Sequence, residues 1–192
     1  MKITISINLG GYAFNIDEDA YEYLQSYLKS LEREFEGEES ASEIISDIEG
    51  RLAELFRQRL SSYKQVVTMS DVSEVIAILG TPEAISGSDK EGTIPHSSRR
   101  IYRDSDNRLL GGVCAGLAAW FNINMWIIRF IFVLLACGGG FGVLIYIVLW
   151  ILLPEAKTTA QKIEMHGKPV TIENIKESVK REFNKVKHTM NL

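Results

Sequence analysis

The 192-residue chain is short of the side chains that carry chemistry. It has two cysteines, Cys114 and Cys137, and three histidines, His96, His166 and His188. The cysteines lack metal-ligand spacing and have no histidine nearby, so they make no zinc-type site. They are expected to be free, buried thiols that pack as small apolar groups. The histidines stand alone in linkers or near the tail, and no Ser-His-Asp or Cys-His arrangement can be assembled. "GGVCAG" lacks the G-x-G-x-x-G spacing, follows no βαβ strand, and is not followed by the Lys-Ser/Thr pair of a P-loop. No catalytic, cofactor-binding or metal-binding residue is therefore assigned, and the chain is not expected to be an enzyme.

Basic residues are scarce in the first half and acidic ones in the second. Residues 1–91 hold 8 Lys and Arg against 18 Asp and Glu, and residues 92–192 hold 13 against 7. The halves carry −10 and +6, which together give the net charge of −4. An acidic first half excludes nucleic acid as a direct partner there, because phosphate contacts need clustered Lys and Arg. The basic second half surrounds an apolar run and fits an anionic membrane surface. The opening "MKITISINLG" alternates and has no cleavage site, so it is not a signal peptide, and the first ~90 residues are expected to stay in the cytoplasm.

The fold class read from these patterns is mainly α, in three parts. Residues 1–85 form a small α+β module. Ile3, Ile5, Ile7 and Leu9 alternate, Gly10-Gly11 supplies a turn, and Tyr12, Phe14 and Ile16 alternate again, which predicts a β-hairpin. Three helices follow. The first has Asp17 as cap, Ala20, Leu24, Tyr27, Leu28, Leu31 and Phe35 on one face, and Gly37 at its end. The second starts at Ser40 with Glu43 in capping-box position and buries Ile44, Ile48, Leu52, Leu55 and Phe56. "QVVT" is a short extended piece. The third is capped by Ser70, turns Val72, Val75, Ile76 and Leu79 inward and ends at Gly80, with one more turn opening at Thr81-Pro82. A core of this size is small and only marginally stabilising.

Residues 86–100 read as a flexible linker. Residues 157–169 read as a second one, leading to an amphipathic helix over 170–189. Its stripe, Ile172, Ile175, Val179, Phe183 and Val186, needs a partner surface, because a lone helix of that length is marginal in water. That surface is a membrane, another protomer or a partner protein.

Between the linkers lies the apolar run. Met125 to Leu153 is 29 residues with one charge, Arg129, and Phe130 to Leu153 is 24 without any. About 20 suffice to cross a hydrocarbon core, so a membrane segment is expected. Gly138, Gly139 and Gly140 divide it. One tilted, kinked helix spans, or two half-length helices make a re-entrant hairpin; of the two, a single span is expected. Arg129 anchors one end by snorkelling to the headgroups, or makes a polar contact within an oligomer or with a partner. Trp126 and Trp150 are further interfacial anchors. Arg99, Arg100, Arg103 and Arg108 precede the run and Lys157, Lys162 and Lys168 follow it, a small bias toward a cytoplasmic N-side. Ahead of it, "GGVCAGLAAWF" places Val113, Leu117, Trp120 and Phe121 on an interfacial helix. Gly111 heads this cluster. Gly112 and Gly116, like Gly138 and Gly142, have the four-residue spacing that lets helix backbones approach, so self-association is a candidate property.

The stretch 101–156, "IYRDSDNRLLGGVCAGLAAWFNINMWIIRFIFVLLACGGGFGVLIYIVLWILLPEA", resembles the phage shock protein C (PspC) domain. The likeness rests on "RLLGGVCAGLAAWF", the arginine after an N-x-N helix start, the glycine break and the terminal "WILLP". The family usually has Asp-Pro where this chain has Asn124-Met125. Asn still caps a helix, but an Asp partner for Arg129 is lost. "EIISDIEGRLAELF" and "MSDVSEVIAILGTPEAI" are similar to the HAAS signalling module found ahead of such domains. The resemblance implies a bacterial inner-membrane component of the envelope-stress response, with a cytoplasmic N-terminal module. Its partners would be membrane lipids and a protein regulator or second membrane protein. The expected function is a membrane-anchored stress sensor or adaptor, with an oligomeric structural scaffold as the alternative and a pore-forming protein as a weaker one.

Overall fold

The computed structural model describes residues 3–81, 100–104, 110–138 and 140–189. They fall into two compact units, one built from Met1–Pro95 with Val170–Leu192, the other from His96–Pro169.

The first unit opens with the expected hairpin, β1 (Thr4–Leu9) and β2 (Tyr12–Asp17), paired from Thr4↔Asp17 to Leu9↔Tyr12. Gly10 and Gly11 both have positive φ, the backbone that a two-residue turn demands. Leu9, Phe14 and Ile16 are buried, while Ile3 and Tyr12 at the hairpin's two ends are exposed. Helix α1 (Glu18–Glu34) and helix α2 (Ala41–Arg59) bury the faces their spacing predicts: Ala20, Leu24, Tyr27 and Leu31 on one, Ile44, Ile48, Leu52, Leu55 and Phe56 on the other. β3 (Val66–Val67), read from sequence only as an extended piece, joins β2 in parallel and completes a three-stranded sheet in the order β1-β2-β3. Helix α3 (Met69–Leu79) ends at Gly80, whose carbonyl accepts a 2.9 Å bond from the buried Tyr27 hydroxyl.

Three caps differ from expectation. Thr68, not Ser70, precedes α3, and Asp71 receives the Thr68 amide and hydroxyl at 2.9 and 2.8 Å. Ser70 is already inside the helix, because Asp71 alone stands three residues after a capping threonine. Ser40 does precede α2, but its side chain caps nothing. Asp17 likewise occupies the cap of α1 without a side-chain cap bond. The turn expected at Thr81-Pro82 and most of the 86–100 linker lie outside the described residues.

In the second unit come α4 (Val113–Phe121), α5 (Met125–Cys137), α6 (Phe141–Leu152) and α7 (Thr159–Met165). The last was not foreseen: the segment 157–169, read as a linker, contains a helix with a Thr158–Gln161 capping box and buried Ala160, Ile163 and Met165. Its apolar positions are too few to show a period in sequence. Helix α8 (Ile172–Thr189) belongs to the first unit and packs on α2.

Candidate functional site: a glycine-seated helical hairpin

The apolar run is two helices, not one. α5 has 13 residues and α6 has 12, lengths of ~20 and ~18 Å against a hydrocarbon core of ~30 Å. Among the described residues no helix is long and apolar enough to cross a membrane, so the expected single span is not formed. Gly140 takes φ +78°, a left-handed turn that bulky residues resist, and α6 returns along α5. Gly142 makes the return close: a Cβ there would stand 2.6 Å from the amide nitrogen of Ala136. Phe132 and Tyr146 meet edge to face across the pair, 5.5 Å between ring centroids. At the turn the Gly138 amide donates to Leu134 at 2.9 Å and the Gly140 amide to Ala136 at 3.0 Å. Gly139 lies outside the described residues.

The two strands at the base of the hairpin are tied together. Residues 101–104 run beside 153–156, with a parallel bridge between Arg103 and Glu155. The Arg103 amide donates to Pro154 at 2.8 Å, and the Ala156 amide donates to Arg103 at 3.0 Å. The Arg103 guanidinium adds bonds to the carbonyls of Leu153, 2.9 Å, and Gly111, 3.2 Å. Arg103 thus staples the strand that enters the hairpin to the one that leaves it. Sequence reasoning counted this arginine only toward flank charge; nothing in its spacing marks it as a staple.

The first glycine cluster seats that staple. Gly112 and Gly116 are buried, and a Cβ on either would collide with the backbone of the entering strand, at the carbonyl oxygens of Asp104 and Tyr102 respectively. The spacing that suggests helix association is therefore used inside the chain, by a strand lying across α4. Gly111 has φ +62° and sits against the Trp150 indole. Tyr102, Ala156 and Met165 form a small core beside the half-buried Ala119, and the Tyr102 hydroxyl donates to Glu164 at 3.4 Å.

Asn124 caps α5, its side chain accepting the Trp126 amide at 3.0 Å. Arg129 is half-buried and lies 5.0 Å from the Trp126 ring centroid. Trp126 and Trp150 are exposed. Both thiols are free; Cys114 is half-buried, and Cys137, expected to be buried, is exposed at the hairpin's turn.

The hairpin's outer surface is apolar nearly everywhere. Ile128 is the only residue of α5 that is buried, and Gly142 the only one of α6. Phe130, Phe141, Leu144, Ile151 and Leu152 are each more than 60 % exposed. A continuous apolar surface of this kind exceeds what a water-facing monomer normally carries.

The C-terminal stripe divides. Ile172, Ile175 and Val179 are buried in the first unit, Phe183 is half-buried and Val186 is exposed. Lys176 and Lys180, one turn apart on α8, both reach Glu38, at 3.0 and 2.9 Å, and Lys187 reaches Glu39 at 3.0 Å. Burial opposes ionisation of Glu38, but the two lysines outweigh it and hold the carboxyl below its ordinary pKa. The partner surface expected from a membrane, a protomer or another protein is supplied by the chain's own α2.

No curated protein and no solved structure matches this chain. The family comparison falls on the hairpin and its strands: residues 99–156, less than a third of the chain, match the PspC domain.

Proposed function

We propose that this chain is a membrane-anchored sensor or adaptor of the phage-shock type in the bacterial inner membrane. The second unit inserts its α5–α6 hairpin into one leaflet without crossing, and the first unit binds a protein regulator in the cytoplasm. The exposed apolar surface of the hairpin is the observation that carries this reading, since water would penalise it and lipid would not. The stapled strands support it, because they bring the chain back to the face it left. The make-up of the first unit supports it again: its two chain pieces flank the hairpin and pack together, so both belong on one side of a bilayer. Basic residues on both flanks suit that single anionic face. The likeness to HAAS belongs to the same reading, which assigns the chain no catalytic role.

Regulation would run through the hairpin. A short element that only partly enters the bilayer responds to lipid packing, and any difference in its affinity for two bilayer states biases the protein between two arrangements. Gly140→Leu forces a side chain onto a left-handed residue and is expected to blunt stress-dependent transcription; a normal response would remove the switching role. Topology is tested in a background with Cys114 and Cys137 replaced by alanine. Cysteines at Lys162 and at Ser26 should both react with an impermeant maleimide from the cytoplasmic side only. Reaction of the two from opposite sides would sink the hairpin. Constitutive cross-linked oligomers in cells, with no transcript change on deletion, would favour the scaffold instead.

A further inference from the structure

The sheet of the first unit runs β1-β2-β3, so β1 is an edge. The turn at Gly10-Gly11 closes on Leu9↔Tyr12, and a two-residue turn makes that a hydrogen-bonded pair. Residues bonded to β2 then alternate down β1, and the Glu18 amide donates to Ile3 at 3.0 Å in step with them. Thr4, Ser6 and Asn8 fall between, so their N–H and C=O groups point out of the sheet. Among the described residues no strand pairs with that side. Natural edge strands are usually guarded by lysine, proline or a bulge. β1 has no charge, no proline and an unbroken register. The apolar face is also unfinished at this edge. Phe14 and Ile16 on β2 are buried, whereas Ile5 and Ile7 are half-buried and Ile3 is 60 % exposed.

The order of residues selects the cover. Thr4-Ile5-Ser6-Ile7-Asn8 reads nearly alike in both directions about Ser6. In an antiparallel pair of copies, a two-fold axis at Ser6 sets Ser6 opposite Ser6 and Thr4 opposite Asn8. That register alone matches every outward-pointing residue of one strand with one of the other. Small polar side chains then meet on the solvent side, and Ile5 meets Ile7 on the core side. A two-fold interface needs a self-complementary patch, and a near-palindromic strand is one. We propose that β1 is the interface through which two copies of this chain join, antiparallel, into one continuous sheet. A strand pair of this length is a small contact beside the ~1,200 Å² of a stable free complex. The proposal therefore rests on the membrane reading of the hairpin, which holds copies on one surface and raises their effective concentration.

The test cross-links the full-length chain in bacterial inner membranes, with Cys114 and Cys137 replaced by alanine. A short bis-methanethiosulfonate reagent should join Ser6→Cys into a dimer, because the two-fold sets that position against itself at ~5.5 Å. Asn15→Cys, beside Ser6 on β2, should stay monomeric, since three strand spacings put its copies ~14 Å apart. Thr4 and Asn8 are exposed, so changing them spares the fold. In the Ser6→Cys background, Thr4→Lys with Asn8→Lys sets lysine opposite lysine and should abolish the dimer. Thr4→Lys with Asn8→Glu sets each lysine opposite a glutamate and should restore it. For chain recovered in the membrane pellet, three results overturn the interface and leave hairpin insertion standing. They are no dimer from Ser6→Cys, an equal dimer from Asn15→Cys, and a dimer that survives the double lysine. Failure of the lysine-glutamate pair to restore the dimer overturns it too. Undimerised chain in the supernatant overturns insertion and interface together.

Discussion

Gly116 and Asp71 show how single residues carry this fold through atoms they lack or hold. The missing side chain of Gly116 is the space through which the Tyr102 carbonyl lies on α4. Gly116→Ala is expected to push the entering strand away and cost about 1–3 kcal/mol, read as a lower urea midpoint of the protein in detergent. Asp71 works by charge. Burial opposes its ionisation, but Lys64 at 2.6 Å and the Thr68 amide and hydroxyl outweigh burial and hold its pKa below the ordinary carboxylate value. A carboxyl held low in the folded state stabilises in full above its unfolded pKa of about 3.9, and that stability is lost as pH falls through the folded value. Asp71→Asn should therefore cost about 1–2 kcal/mol at neutral pH. The gap to the unaltered protein should then shrink in acid denaturation curves below about pH 4. Both residues were visible in the sequence, one as a glycine motif and one inside a helix start. Their partners were not, because Tyr102 and Lys64 reach them through chain paths that no period records.

At the scale of elements, helix α8 is the clearest case. Its five-residue stripe announced a buried face, and three of the five are in fact buried. Truncating the docked part, as in Ile175→Ala, should cost about 2–5 kcal/mol because the cavity opens in a packed interface. Val186→Ala, at an exposed position, should stay within about 0.5 kcal/mol. Chemical denaturation of both variants checks which part of the stripe is seated. α1, α2 and the hairpin of β1 and β2 were legible because each shows many repeats of its own period and an apolar face that must be covered. β3 has two residues and α7 has seven, too short for a period to register. Their assignment depends on a strand edge and a core supplied by distant chain.

For the whole molecule, the prediction concerns where the chain resides. Replacing Phe130, Leu134, Leu144 and Ile151 by serine removes apolar side chains that face outward from the hairpin and spares Gly142 and the Arg103 staple. The variant is expected to leave the membrane pellet on fractionation, while circular dichroism keeps its helix signal. Retention in the membrane would show that something other than the hairpin holds it there. The sequence by itself determined that residues 125–153 are apolar, that glycine interrupts them, and that an acidic module precedes and a basic helix follows. Composition and period are local properties, so one chain suffices to read them. Only the tertiary structure decided that the run folds back, that Arg103 ties its two ends, and that the last helix returns to the first module. Those outcomes depend on which distant backbone groups and faces find each other. A run of 29 residues with a weak point is compatible with one long helix or two short ones until its flanking strands are paired.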